Sequence, residues 1–230
     1  MLVLYHHPMS AAARLVRLVL AEYDDTAEFV EELTWQRREE FLALNPAATL
    51  PVLVDGDNPP MVGGNAICEF LDETRGVLKR EKRLLPENPY ARAEARRIVS
   101  WALDKLEDEV TRYIVLERVF KRQMPSALGG GSPDSKAIRA ARANIKFHMN
   151  YLGWLAATRN WLAGDTISYA DLAVAASLSV LDYLGEVPWE ENQPLRDWYS
   201  RIKSRPSFRP LLGDKVRGLP PASHYVDLDF

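Results

Sequence analysis

The chain has 230 residues, 47% hydrophobic and 27% charged, with a formal net charge of -3. This fits one large or two compact globular domains with a real core, and the balanced charge excludes an electrostatic nucleic-acid binder and a polybasic membrane anchor. A single cysteine, Cys68, rules out an internal disulfide and points to a reducing, cytoplasmic setting. There is no run of about 18 apolar residues that would mark a membrane span. MLVLYHHP lacks the basic-then-apolar pattern of a secretory leader, so none is expected.

In chain order, Leu2–Tyr5 is an apolar run that predicts a buried strand, followed by the loop His6-His7-Pro8-Met9-Ser10. Residues 11–22 predict a helix with Leu15, Leu18 and Val19 on one face and Arg14 and Arg17 beside it. Glu28–Leu33 is a weaker strand, and Trp35–Leu44 reads as one helix ending before Asn45-Pro46. Leu50–Val54 is a second apolar strand closed by the turn Asp55-Gly56-Asp57, and Pro59–Val62 is a short edge strand. Asn65–Glu73 is helical through Ile67, Phe70 and Leu71. Lys79-Arg80-Glu81-Lys82-Arg83 reads as a solvated linker, with a basic docking patch as the alternative.

After Pro89 the strand signal vanishes. Tyr90–Arg122 carries a helical pattern broken by Pro125 and Gly129-Gly130-Gly131. Asp134–Arg159 is a second long helix, and Tyr169–Leu184 is apolar all round, which predicts a buried central helix. Pro194–Ser204 and Phe208–Leu212 are shorter helices; 213–230 has no helical period.

Four stretches carry one resemblance: Tyr5-His6-His7-Pro8-Met9-Ser10 with Arg14 and Arg17; Asn45-Pro46 through Leu50-Pro51; Ala66-Ile67 with Phe70-Leu71; and Trp161 through Gly164-Asp165 to Ser168 and Asp171. In this order and spacing the chain resembles the glutathione S-transferase superfamily over nearly its whole length. The resemblance implies a thioredoxin-like N-terminal domain at 1–76, a linker at 77–89, an all-helical C-terminal domain at 90–212 and an extension at 213–230. It also implies a cis Leu50-Pro51 bond, which turns the backbone toward the tripeptide glutathione, and a catalytic hydroxyl at Ser10. Serine before a helix is equally a good N-cap. Ser168 and Asp171 read as a capping box opening the buried helix.

The chain departs from the family pattern where the γ-glutamyl end of glutathione would be held. The acidic or amide residue and serine of that pattern are replaced here by Gly64 and Asn65, and the glycine after Asn45-Pro46 by Ala48. Asn65 is expected to cap the helix. Losing one charge-assisted bond, about 1.5–3 kcal/mol, lowers affinity roughly ten- to a hundredfold. Glutathione is therefore a doubtful ligand at Leu50, Pro51 and Asn65, and no cofactor is expected. His6, His7, His148 and His224 have no ligand spacing, so no metal site is expected. Cys68 reads as a buried small hydrophobe.

Arg118, Lys121 and Arg122 share a face at the end of the long helix, where they complement its C-terminus or meet an acidic partner. Trp35 is core or an exposed anchor. His224-Tyr225-Val226-Asp227-Leu228-Asp229-Phe230 alternates aromatic, acidic and aliphatic residues and docks on its own body, a dimer partner or another protein. The altered pocket, the glycine-rich break and this tail resemble the branch of the superfamily that binds the tubulin-like polymer FtsZ in bacterial division. That resemblance implies a non-enzymatic homodimer at the division site that regulates filament curvature and bundling. Arg118, Lys121, Arg122, Asp227 and Trp35 are the candidate contacts. The alternatives are conjugation of glutathione to small electrophiles, with Ser10 aiding the thiolate, and a transcription or translation accessory subunit.

Overall fold

The computed structural model describes residues 1–79 and 83–228. Arg80, Glu81 and Lys82 of the expected linker, and Asp229 and Phe230 of the tail, lie outside the described residues.

The N-terminal part runs β1 (Leu2–His6), α1 (Ala11–Glu22), β2 (Ala27–Glu31), α2 (Glu39–Leu44), β3 (Val52–Asp55), β4 (Met61–Val62) and α3 (Gly64–Leu71). The strands form one sheet in the order β2-β1-β3-β4, with β1 parallel to β2 and antiparallel to β3, and β3 antiparallel to β4. Helix α1 is buried nearly all round because it is sandwiched: it packs on α3 on one side and on the central helix of the C-terminal part on the other. That double burial explains why Ala11, Ala13, Leu15, Val16 and Leu18 to Leu20 are all covered.

Two local expectations are corrected here. The single helix expected over Trp35–Leu44 is split into a tight turn at Thr34–Gln36 and α2, because Arg37 is left-handed (φ 48°). The break lets Arg38 reach back to the buried Glu32 at 2.5 Å, a pairing that local propensity does not encode. Asn65 is not the cap of α3. The cap position is Gly63, with φ 90° and no side-chain cap bond, and Asn65 is exposed in the first turn.

In the C-terminal part, α4 begins at Pro89–Ser100, capped by Asn88, whose side chain accepts from the amides of Tyr90 and Ala91 at 2.9 and 3.2 Å. It then widens into π-type winding over Trp101–Thr111, returns to α at Arg112–Val115, widens again over Leu116–Phe120 and ends as Lys121–Gln123. The cause is in the sequence. Ile98, Ala102, Leu106, Val110 and Ile114, all buried, recur every four residues. In a regular α-helix each such step drifts by about 40°. Winding with longer-range hydrogen bonds removes the drift and keeps all five against the core.

Helix α5 (Ser135–Thr158) is capped by Asp134, and α6 (Tyr169–Tyr183) is buried along its whole length. α7 (Gln193–Lys203) and α8 (Arg209–Leu212) complete the layer. The capping box at the start of α6 is formed. Asp171 accepts from the Ser168 amide at 3.0 Å, from the Leu162 amide at 2.8 Å and from the Trp198 indole at 3.1 Å. It is a structural junction for three segments.

The tail docks on its own body at His224 and Tyr225, while Val226, Asp227 and Leu228 are exposed. Tyr225 is 0% exposed. The Arg14 guanidinium, also 0% exposed, donates to the Tyr225 hydroxyl at 2.9 Å, to Ser179 at 2.8 Å and to the Pro8 carbonyl at 2.6 Å. Arg17 makes a two-pronged pair with Asp214 at 2.7 and 2.8 Å. His224 sits 2.9 Å from the buried Asp182. α1, α6 and the tail are thereby tied across the two halves of the chain.

Candidate functional site

Between the loop after β1, the approach to β3 and the middle of α4 lies a cleft of ≈ 480 Å³. Ser10 and Leu50 both line it, and the Leu50-Pro51 bond is cis. Ser10 caps α1: its oxygen accepts from the Ala13 amide at 3.2 Å, leaving its own hydrogen to donate. The cap and the cleft-lining position coexist in one residue.

His7 lines the same cleft and accepts the Met9 amide on Nδ1 at 3.0 Å, so its hydrogen is on Nε2. Burial, His6 and Arg14 push His7 down to about 4, and burial and Arg17 push His6 down to about 4, so both rings are neutral at pH 7. The His6 Nδ1 has no hydrogen-bond partner. Cys68 is buried, which pushes its thiol up and makes it inert. Among the described residues, no group of three His, Cys, Asp or Glu side chains could hold a metal ion.

Asn65 does not join Ser10 and Leu50. It lines a separate apolar cavity of ≈ 280 Å³ between α3 and α4, beside Cys68, Glu69 and Val99. Gly64 has a packing reason: a Cβ there would lie 3.2 Å from Ala12 Cβ and 3.4 Å from the Ala12 carbonyl of α1. Ala48, where the resembled motif has glycine, is held at φ 54°.

The candidate interaction residues separate. Trp35, Arg118 and Arg122 line one groove of ≈ 610 Å³, together with Leu128 and Arg217. The Trp35 ring packs on Phe120 at 5.0 Å between centroids. Arg118 is held from below by Glu186 and the Leu184 carbonyl. Lys121 turns to Glu117 at 2.7 Å and is not part of the groove wall, nor is Asp227, which is exposed just past the buried Tyr225. Of the three expected on one helix face, Arg118 and Arg122 line the groove and Lys121 pairs with Glu117 outside its lining.

Two groups escaped the sequence reading. Arg217 joins the groove only because the tail folds back. Glu107 lines the cleft; its Oε2 is wholly shielded and has no hydrogen-bond partner. Burial and the adjacent Asp108 push its carboxyl up to about 7, against a smaller opposing pull from Arg112. Its local sequence carries no such signal, because it stands beside the four-residue apolar repeat and not on it.

A family model described as the N-terminal domain of glutathione S-transferase matches residues 4–82, and one described as the C-terminal domain matches residues 135–206. The chain belongs to the glutathione S-transferase superfamily. Within that superfamily it is 43% identical over 232 residues to FtsZ-localized protein A of Caulobacter vibrioides, covering 99% of this chain and 97% of that protein. Its fold matches a solved glutathione S-transferase from Sinorhizobium meliloti 1021 with a TM-score of 0.98 and 57% identity, covering both chains fully. It also matches FzlA from C. crescentus with a TM-score of 0.91 and 40% identity, covering 100% of this chain and 99% of that one. The superfamily's thioredoxin-like sheet followed by a helical domain is the architecture described above. No helix among the described residues is long and apolar enough to cross a membrane.

Proposed function

We propose that this protein is a cytoplasmic, non-enzymatic homodimer that binds FtsZ filaments at the bacterial division site and biases their curvature and bundling. The observation that carries the reading is the 43% identity over 99% of the chain to a protein named for its FtsZ localisation. The groove supports it with apolar lining at Trp35, Val119 and Leu128 and exposed arginines at Arg122 and Arg217, with Glu31 as the acidic residue of the lining. Those two arginines make no ion pair among the described residues, so they carry charge available to an acidic partner. A two-fold dimer would present this groove twice. Two linked grooves raise avidity for a polymer, and they bend it if bent filament is bound more tightly than straight.

The test is co-sedimentation with polymerised FtsZ, with electron microscopy of the pellet. Arg122→Glu should weaken filament binding about tenfold or more, because a charge-assisted contact is replaced by repulsion. Sedimentation velocity should give a dimer. Unchanged co-sedimentation of folded Arg122→Glu and Trp35→Ala proteins would refute the groove as the contact.

A second reading, conjugation of glutathione to small electrophiles, is favoured by the shared cleft of Ser10 and Leu50. It requires turnover of a generic electrophile that falls in Ser10→Ala. Glutathione has poor support here, since Gly64 offers no side chain and Asn65 faces another cavity.

A further inference from the structure

Arg217 stands on neither a helix nor a strand, although it lines the groove. It is carried by a tight turn, Val216-Arg217-Gly218-Leu219, in an otherwise irregular stretch of the tail. The Leu219 amide donates to the Val216 carbonyl at 3.0 Å. Gly218 has φ 73°, while the φ of Arg217 is negative. This is a type II turn, with glycine where φ must be positive and Arg217 at the exposed corner. Exposed turns in irregular segments open more readily than helices do, so a charge carried on one needs further support to stay in place.

That support comes from Tyr183, the last residue of α6, which is 1% exposed and is not part of the groove lining. Its hydroxyl engages both ends of the turn at once. It accepts from the Val216 amide at 3.1 Å and donates to the Leu219 carbonyl at 2.8 Å. A hydroxyl has one hydrogen and two lone pairs, so neither bond excludes the other. Val216 is buried, so its amide has no easy replacement in water. At the corner, the Arg217 carbonyl accepts from the Gln123 side chain at 3.4 Å, next to Arg122 at the end of α4. Tyr183 is itself fixed: its ring meets Tyr225 edge-on at 5.1 Å between centroids, and the Tyr225 hydroxyl accepts from Arg14. A continuous run of packing and hydrogen bonds therefore leads from α1 through Tyr225 and Tyr183 to the turn.

We infer that Tyr183 is a positioning residue for the groove: its hydroxyl holds the 216–219 turn closed, closure keeps Arg217 in the groove wall, and closure and binding of an acidic partner are one linked equilibrium. The inference takes its partner from the filament reading and adds a residue that never touches that partner. If only the closed turn offers Arg217, affinity falls with the closed fraction. By reciprocity a bound partner must hold the turn closed by the same factor.

The test is FtsZ co-sedimentation of single and double variants, with hydrogen exchange over residues 213–222 read by mass spectrometry. Arg217→Ala should weaken filament binding about tenfold or more, the loss of one charge-assisted contact. Tyr183→Phe keeps the ring and removes only the hydroxyl. It should weaken binding about fivefold or more, up to the loss seen in Arg217→Ala. The double variant should bind no worse than Arg217→Ala alone, because a turn without its arginine has nothing left to place. Gly218→Ala adds a methyl that meets nothing within 4 Å but is strained at φ 73°, so it should reproduce the Tyr183→Phe loss without disturbing the core. In the wild-type chain, filaments should slow exchange over 213–222, and Tyr183→Phe should speed it in the free protein. Losses that multiply in the double variant would overturn the inference, as would exchange unmoved by filaments that the chain binds. Binding lost in Arg217→Ala but kept in Tyr183→Phe and Gly218→Ala would overturn it alone, whereas a wild-type chain that does not sediment with filaments would remove the filament reading and this inference together.

Discussion

Replacing Tyr225 by phenylalanine isolates one bond in the cross-domain network. The ring stays, so buried area and the stacking of Arg14 at 5.9 Å from its centroid are kept. Two hydrogen bonds involve the lost hydroxyl. The Leu211 carbonyl loses a donor at 3.1 Å but still accepts from the Gly213 and Asp214 amides, so it remains satisfied. Arg14 has no such reserve. Its Nη1 spends one hydrogen on Ser179 and the other on Tyr225, and its Nη2 already lacks a hydrogen bond, relying on Asp214 at 3.5 Å. Removing the acceptor leaves a buried, charged N–H unpaired. That costs about 1.5–3 kcal/mol. For a chain of this size each kcal/mol moves Tm by roughly 2–4 °C, so the variant should melt about 3–12 °C lower. Urea unfolding at pH 7 followed by tryptophan fluorescence measures the same loss as a midpoint shift at constant slope. A Tyr225→Phe protein within about 0.5 kcal/mol of the parent would show that water reaches Arg14, and the description of a dry strap between α1, α6 and the tail would fail.

Two further outcomes follow from backbone and charge. Ala48→Gly should stabilise the fold by about 0.5–1 kcal/mol in the same urea assay, since Ala48 is held at φ 54° where glycine carries no Cβ penalty. The pH dependence has two opposing parts. His6 and His7 are held down to about 4 from an ordinary value of 6.5, so their contribution is complete above about pH 6.5 and is lost as pH falls toward 4. That loss is about 3 kcal/mol for each if independent, and less in sum because the two rings repel when both are charged. Glu107, held up to about 7 from 4.5, acts in reverse: it favours the fold below about pH 4.5 and costs stability as pH rises through 7. Glu107→Gln should therefore be more stable than the parent at pH 8 and show no gain at pH 4.5; equal stability at pH 8 would argue against a buried carboxylate.

The elements most legible in the sequence were those whose stabilising partners are local or periodic. Helix α1 announces itself by an N-cap serine and a dense apolar run, and α6 by Ser168, Asp171 and fifteen residues with little polar interruption. What stayed hidden depends on distant partners. Arg37 breaks a helix so that Arg38 can meet Glu32, and Asn65 is a plausible cap displaced by Gly63 at φ 90°. The groove combines segments near residues 35, 118, 128 and 217, which no local pattern connects. Tyr225 was legible as an anchor, but its berth on Arg14 was not, because both partners are polar and far apart in sequence.

The winding of α4 has a consequence for how the chain tolerates insertions and deletions. Trp101–Thr111 carries Glu107 on the cleft side, and Leu116–Phe120 leads directly to Arg122 on the groove side. Both are set by the rotational phase of a single rod. Removing one residue from that rod with its winding otherwise kept would turn everything beyond it by about 90°, a quarter turn, since four residues close one turn there. The cleft wall downstream of the cut and the α4 arginines of the groove would both swing out of place, although no residue in either had been replaced. Length changes in the Gly129–Gly131 break would have no such effect, since a loop absorbs them without passing on a rotation. The two surfaces are geared to each other, and this length of α4 must keep its residue count even where individual side chains are free to vary.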